Sequence, residues 1–177
     1  MDAALTWHPD DVNEVVTGTN NSCIQKEYLS TGIASHAASV PHLGRSALDA
    51  VQLMNIGVEF MREHMPPSAR VHYSITNAGG DSPNVVQPCA RVLYMVRDIK
   101  VSDTLALQAR VDKIAKAAAE MTETHLEIRF IDGMANPVPN FTLEKVLFKN
   151  LEELPAPGYD AGELEYAKQL IASYENK

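Results

Sequence analysis

The order of strand-like and helix-like segments between residues 23 and 133 restricts the possible folds of this chain more than any other feature. The first segment, CIQKEYLSTGI, is rich in β-formers and predicts a strand. Apolar residues then recur at helical spacing from about Ser46 to Met65, and Pro66 and Pro67 end that helix. The segment ARVHYSITN alternates between apolar and polar residues, which is typical of a strand with one buried face.

The remaining segments complete the series with a strand, a helix and a strand. VVQPCARVLYMVRDI predicts a long strand, in which Pro88 indicates an edge position, a bulge or a late start of the pairing. A helical pattern then runs to about Met121, with Ser102 or Asp103 as the expected N-cap, and THLEIRF alternates as the last strand. This βαββαβ order predicts an α+β protein: a ferredoxin-like sandwich whose antiparallel four-stranded sheet carries two helices on one face.

The chain divides into three expected regions, of which residues 23–134 form the ferredoxin-like domain. Residues 1–22 are polar and rich in turn-forming residues, without a helical period. Residues 135–177 begin with a proline-containing linker and continue into two amphipathic helical segments, at about 141–154 and 161–174. Neither flank belongs to the βαββαβ unit, so we expect both to be stubs of a larger domain.

Charge and cysteine content narrow the range of partners. The chain carries 15 basic and 23 acidic residues, a formal net charge of -8, so we expect neither nucleic acid nor a membrane as a partner. No apolar run is long enough to span a bilayer, and the first residues do not form a secretory signal. Cys23 and Cys89 lie far apart in strand-like segments, where free thiols fit a reducing compartment. We therefore expect a cytoplasmic protein.

Two histidines in the stretch GIASHAASVPHLGRSALDA are the first candidates for chemistry. His36 and His42 are six residues apart in a predicted loop, a spacing that does not form a paired metal face, and no further strong ligand lies nearby. We expect His42, which follows Pro41, to bond to backbone at the helix entry. His36 is flanked by small residues that leave its ring free to reach a ligand. From the residues alone, a structural role and a binding role for His36 both stay open.

Four stretches together resemble the zinc amidohydrolase family, which includes the aminoacylase-type metallopeptidases: DAALTWHP, GIASHAASVPHLGRSALDAV, RVHYSITNAGGDSPNVV and LYMVR. Members of that family resemble one another in having a catalytic metal domain that is interrupted by a dimerising βαββαβ lid. The resemblance implies that this chain is the lid and dimerisation domain of a metal-dependent amidohydrolase. Its substrates would be N-acyl amino acids, such as aminobenzoyl-glutamate-like amides.

The resemblance also implies that the metal centre is incomplete here. His8, in WHP, matches a metal-ligating histidine of the family. The family's GCGHN-like and EEGG-like motifs, its downstream histidine and its catalytic glutamate have no match in this sequence. A catalytic zinc site needs three protein ligands, so we expect the zinc or manganese of the intact enzyme to be absent from this chain alone. The chain by itself is expected to be an inactive fragment.

Three further residues match positions that serve the active site from the lid. His36 matches a catalytic histidine that reaches across the dimer and donates to the scissile carbonyl as it becomes an oxyanion. Asn84, in SPNVV, matches an asparagine that hydrogen-bonds substrate, and Arg97, in LYMVR, matches an arginine that grips a substrate carboxylate. Without the resemblance, Asn84 would be interpreted as a turn residue and Arg97 as an exposed strand charge.

Besides a complete enzyme that uses its histidines directly, two interpretations of the whole chain remain at this point. In the first, the lid forms a homodimer through an edge strand and the neighbouring helix, and it works with the rest of its own catalytic domain. In the second, the chain is a stand-alone ferredoxin-like module that binds a small carboxylate.

Overall fold

The computed structural model describes residues 4–154 and 156–175, which form two compact units. The larger unit is Gly18–Val138. The smaller unit combines the described parts of Met1–Thr17 and Pro139–Lys177. The larger unit contains the elements that hold most of the candidate site residues.

The larger unit has the βαββαβ order, so the fold predicted from the sequence is confirmed. Its strands and helices are β1 Ser22–Thr31, α1 Ala47–Arg62, β2 Arg70–Asn77, β3 Cys89–Asp98, α2 Val101–Met121 and β4 His125–Met134. The strands form one sheet in the order β2-β3-β1-β4, and every neighbouring pair is antiparallel. Strands β2 and β4 are therefore the two edges of the sheet.

The core lies between one face of the sheet and the two helices. In β3, Val92, Tyr94 and Val96 are fully buried, whereas Arg91 and Arg97 on the opposite face are exposed. Successive side chains of a strand point to opposite faces of the sheet. The alternating burial along β3 therefore gives the sheet one core face and one open face. The helices complete the core with residues at helical spacing, namely Val51, Met54, Val58 and Met61 of α1 and Leu107, Val111, Ala115 and Ala118 of α2. Each large aliphatic side chain buried here stabilises the fold by about 1.5–3 kcal/mol.

A polar cluster joins β1 to α2 inside this layer. The Asp112 carboxylate accepts hydrogen bonds from Lys26 Nζ at 2.7 Å and from the Tyr28 hydroxyl at 2.6 Å. Gln108 Nε2 donates to the same carboxylate at 3.0 Å and to the Tyr28 oxygen at 2.7 Å. Burial raises the pKa of the Tyr28 hydroxyl, and Asp112 adds to the effect, so Tyr28 remains a proton donor. Burial disfavours the Asp112 anion, but the bonds from Lys26, Tyr28 and Gln108 outweigh it and lower the pKa of that carboxyl.

The first residues of β3 and α2 decide between the predictions for Pro88 and correct the predicted N-cap of α2. Strand β3 begins at Cys89, so Pro88 marks a late start of the pairing. Helix α2 begins at Val101 with Lys100 at the N-cap position and no side-chain cap, so the cap predicted at Ser102 or Asp103 is wrong. Asp103 instead lies inside the first turn, where a negative charge is favourable near the exposed amides of the helix.

The smaller unit contains helices α3, Phe141–Glu153, and α4, Ala161–Glu175. Asn140 caps α3 by accepting from the Leu143 N–H at 3.2 Å, and the Thr17 hydroxyl donates to Glu144 Oε2 at 2.7 Å. Large apolar side chains of both helices are exposed, namely Phe141, Val146, Phe148, Leu151, Leu164, Tyr166, Leu170, Ile171 and Tyr174. In the described part of the chain, no helix is long and apolar enough to cross a membrane.

The Asp112 cluster makes the stability of the fold depend on pH. Because the pKa of Asp112 is lower in the folded state than in the unfolded state, its stabilisation is present above the unfolded pKa, near about 4, and is lost as the pH falls through the folded value. We expect Asp112→Asn to lower the free energy of unfolding by about 2 kcal/mol at neutral pH. The difference from the wild type should shrink below about pH 4. Urea unfolding at several pH values measures both, and a constant difference would contradict the assignment.

Candidate functional site

Two loops meet at one end of the sheet and bring two of the predicted site residues together. His36 forms an isolated antiparallel bridge with Val85, and the Ala37 N–H donates to the Asn84 carbonyl at 2.9 Å. The side chains of His36 and Asn84 are exposed. The residues belong to connections that are distant in sequence, one after β1 and one between β2 and β3, so their meeting is a product of the sheet topology.

The hydrogen bonding of His36 determines which ring nitrogen is free. Nδ1 accepts from the backbone N–H groups of Ala38 at 3.3 Å and Ser39 at 3.2 Å. An imidazole nitrogen that accepts carries no proton, so a neutral ring with these bonds carries its proton on Nε2. The loop thereby selects the tautomer in which Nε2–H is available as a donor to another molecule.

The loop that carries His36 is closed at its base by Arg45. Ile33 and Arg45 form a two-way backbone bridge, with N···O distances of 2.8 and 2.9 Å. A Cβ added to Gly32 would lie 2.0 Å from the Arg45 carbonyl oxygen, so only glycine permits this approach. The Arg45 side chain also donates to the carbonyls of His42 at 3.3 Å and Gly44 at 2.7 Å.

Glu123 connects this loop base to the end of α2. Its Oε2 accepts from Arg45 Nε at 3.0 Å and lies 2.9 Å from Nη2. Glu123 has a φ of 54°, the left-handed conformation that favours glycine after a helix. Glu123 thus has a strained backbone conformation at the position from which its carboxylate binds Arg45 at the base of the His36 loop.

The sequence did not predict Arg45 or Glu123 as part of this arrangement. The signal for Glu123 was a helix that ends without the usual glycine, in the stretch MTETHL. His42 lies in a short 3-10 turn, Pro41–Leu43, and it is exposed. The expected bond from His42 to backbone is not found among the described residues; the His42 carbonyl instead accepts from the Arg45 side chain.

Arg97 lies at the other end of β3. Strand β3 begins at Cys89 beside the two loops, and Arg97 is eight residues further, about 26 Å at the strand rise of roughly 3.3 Å per residue. Its Nε and Nη2 lie 3.2 and 3.1 Å from the Met95 sulfur, a weak acceptor. Within one protomer, Arg97 and His36 therefore lie too far apart to contact the same small ligand.

His8 is exposed in the smaller unit, and its Nδ1 lies 2.7 Å from the carbonyl of Pro9. Within residues 4–154 and 156–175, no group of three or more histidine, cysteine, aspartate or glutamate side chains is placed to hold a metal ion. Zinc and similar catalytic metals need at least three such ligands. The described residues of this chain therefore do not fit a metal centre, and we assign no chemical step to a metal on them.

Comparisons with known proteins agree on one family of domains. The sequence profile described as peptidase dimerisation domain matches residues 27–136. The chain is 47% identical over 173 residues to one of the subunits of p-aminobenzoyl-glutamate hydrolase of Escherichia coli strain K12, a match that covers 98% of this chain and 36% of that protein. It is 32% identical over 124 residues to the Xaa-Arg dipeptidase of Mus musculus, covering 70% of this chain and 28% of the dipeptidase.

A solved structure shows the same fold. The aminobenzoyl-glutamate utilization protein from Klebsiella pneumoniae superposes with a TM-score of 0.62 at 22% identity, over 81% of this chain and 39% of that one. The chain thus spans about a third of the length of the proteins that it matches, 36% and 28% for the two curated relatives.

Two substitutions separate the effect of the Glu123 ion pair with Arg45 from the effect of its strained, left-handed backbone. Glu123→Gln keeps the left-handed backbone and removes the charge, whereas Glu123→Gly relieves the strain and removes the whole side chain. We expect Glu123→Gln to destabilise the fold slightly, by less than about 1 kcal/mol, and Glu123→Gly to leave it unchanged or more stable. Both should accelerate amide exchange at Ile33 and Arg45, measured by hydrogen–deuterium exchange. Unchanged exchange in both variants would show that the ion pair does not hold the loop.

Proposed function

This chain belongs to the peptidase dimerisation domain family, and on that premise we propose that it is the lid and dimerisation domain of a metal-dependent amidohydrolase that cleaves N-acyl amino acids. A domain of this family implies self-association and a catalytic domain as partner. The E. coli relative is named for p-aminobenzoyl-glutamate, so an amide of that type is the proposed substrate. In this proposal the zinc or manganese and the general base belong to the catalytic domain, because the described residues do not fit a metal site.

The observation that carries the proposal is the meeting of His36 and Asn84 at one end of the sheet. The backbone holds Nδ1 of His36, so Nε2–H is the atom available to donate to the scissile carbonyl oxygen as negative charge develops there. The Asn84 amide, on the paired loop, hydrogen-bonds the substrate beside it. Loss of one oxyanion donor typically lowers kcat about 10²–10³-fold, which is the contribution that we assign to His36.

The dimer uses the β2 edge in this proposal. Tyr73 and Ile75 of β2 are on the helix-facing side of the sheet but remain 39% and 43% exposed. Both edges carry a register shift, β2 between Ile75 and Asn77 and β4 where it passes Gln25 and Lys26, so regularity does not distinguish them. We choose β2 for its half-exposed Tyr73 and Ile75. Pairing β2 with its symmetry copy would extend the sheet to eight strands and cover the half-exposed side chains.

This pairing accounts for the separation between Arg97 and His36. Strand β3 runs antiparallel to β2, so an antiparallel pair of β2 strands places the Arg97 end of one β3 beside the opposite end of the partner's β3. One substrate then meets Arg97 of one protomer, which binds its carboxylate, and the partner's His36 and Asn84. Each active site is thereby built from both lids.

Three further observations bear on the location, on a second candidate function and on the partner. Both Cys23 and Cys89 are free thiols, which supports a cytoplasmic location. The exposed guanidinium of Arg97, bound only to a thioether sulfur among the described residues, supports a second candidate function, a stand-alone module for small carboxylates. The E. coli relative is named as one subunit of its hydrolase, which also allows a partner of the same fold that is not a second copy.

The choice of edge is tested by two matched substitutions. Ile75 of β2 and Ile131 of β4 are isoleucines on edge strands, 43% and 48% exposed. We expect Ile75→Asp to shift the chain from dimer to monomer in sedimentation equilibrium, because pairing of the two β2 strands would bury the new charge on the helix-facing side of the joined sheet. Ile131→Asp should leave the dimer intact. A monomeric wild type across the micromolar range would contradict the homodimer, and the opposite response of the two variants would assign the interface to β4.

The shared active site is tested in the full-length hydrolase by mixing two variants. His36→Ala and Arg97→Ala should each be inactive as homodimers. After subunit exchange, about half of the dimers are mixed, and each mixed dimer has one site with both residues intact. We expect recovery of about a quarter of the wild-type activity. No recovery, with exchange confirmed by mass spectrometry, would show that His36 and Arg97 of one protomer serve the same active site, which contradicts a site shared between protomers.

A further inference from the structure

Two arginines lie directly opposite each other on the open face of the sheet. In the pairing of β2 with β3, Arg70 is the partner of Arg97. Directly opposed residues of an antiparallel pair have Cβ atoms about 5 Å apart, and like charges in that position destabilise the sheet. Both residues are exposed, on the face that the helices do not cover. We call these two residues the arginine pair.

The arginine pair lacks a carboxylate partner in the described part of the chain. No aspartate or glutamate oxygen lies within 4.0 Å of either guanidinium there. Arg70 Nη1 donates to the carbonyls of Pro67 and Ala69, both at 2.6 Å, so this nitrogen of the guanidinium is held by the backbone. Its Nε and Nη2 make no hydrogen bond to the described residues, so they remain available to a ligand.

Another arginine on the same face shows the contrasting arrangement. Arg129 of β4 is held by Glu127 at 2.7 Å, with Glu27 at 3.7 Å, so its charge is balanced within the sheet. The chain as a whole has eight more acidic than basic residues, a net charge of -8. The two opposed charges of the arginine pair are thus left unbalanced in a chain that has acidic residues in excess.

We propose that Arg70 and Arg97 together form an anion site for both carboxylates of an N-acylated dicarboxylic amino acid, with Arg70 selecting the acidic side chain. Each guanidinium offers a planar fork of donors that matches one carboxylate. Two opposed positive charges are neutralised by a dianionic ligand, whereas a monocarboxylate leaves one of them unpaired. This inference rests on the proposed function, since it places Arg97 on the substrate's amino acid part, and it assigns to Arg70 a role in specificity.

The test compares two ligands that differ only in the charge of the side chain. N-acetyl-L-glutamate and N-acetyl-L-glutamine are each titrated into the 177-residue chain. Binding is followed by NMR, from the chemical shifts of the backbone amides in β2 and β3. We expect the glutamate derivative to bind about tenfold more tightly than the glutamine derivative. The ratio of the two affinities should fall as the salt concentration rises from low to physiological levels. The ratio should approach one in Arg70→Gln, with the affinity for the glutamine derivative little changed.

Three variants make the result specific. Arg70→Lys keeps the charge but not the fork and should retain part of the preference, which also controls for the bonds that Arg70 makes to backbone. Arg97→Gln should weaken both ligands. Arg129→Gln, an arginine on the same face that is already paired, should change neither affinity.

The outcomes separate this inference from the proposed function. A preference that persists in Arg70→Gln while Arg97→Gln weakens both ligands would overturn the role of Arg70 and leave the proposed lid function intact. Equal affinity of the two ligands in the wild type, or no shift with either, would overturn the arginine pair as a site for a dicarboxylate. The lid function itself is decided separately, by the recovery of activity in the mixed dimers.

Discussion

The register of β3 between β1 and β2 is the constraint on which the rest of the structure depends. Val92, Tyr94 and Val96 are buried from one face of that strand, and a shift of one residue would exchange them for the other face, which carries Arg91 and Arg97 at its two ends. The same register opposes Arg97 to Arg70 and sets the loop before Cys89 against the loop after β1. Core packing thus determines where the polar site residues stand.

The site end of the sheet is built from backbone contacts more than from side-chain packing. His36 is held through its ring nitrogen and its bridge to Val85, and the base of its loop is closed by Arg45. Glu123 adds an ion pair from the end of α2 at the cost of a left-handed backbone. The loop thus presents an exposed histidine with one defined donor atom. The polar cluster around Asp112, in contrast, lies between β1 and α2 and serves stability.

The elements were predictable because their signals are local. The alternation in ARVHYSITN and the apolar seam after Ser46 each report burial of one face, and the structure has β2 and α1 there. The N-cap of α2 was predicted wrongly, since Ser102 and Asp103 suit either a cap or a first turn, and both lie in the first turn of a helix that begins at Val101. The candidate site residues were predicted from a resemblance to a family, and they stay predictions. Nothing local in the sequence relates His36 to Asn84, because their contact depends on strands that pair across most of the domain.

The sequence by itself determined the βαββαβ order, the core faces of the strands and helices, and the acidic charge, since each of these depends on near neighbours along the chain. Only the tertiary structure decided that His36 and Asn84 meet, that Nε2 is the free donor, and that Arg97 lies at the far end of β3, about 26 Å along the strand from Cys89. It also placed Arg70 opposite Arg97. The physical reason is that pairing across a sheet joins residues by register, and register depends on the burial of a whole strand and on no single residue.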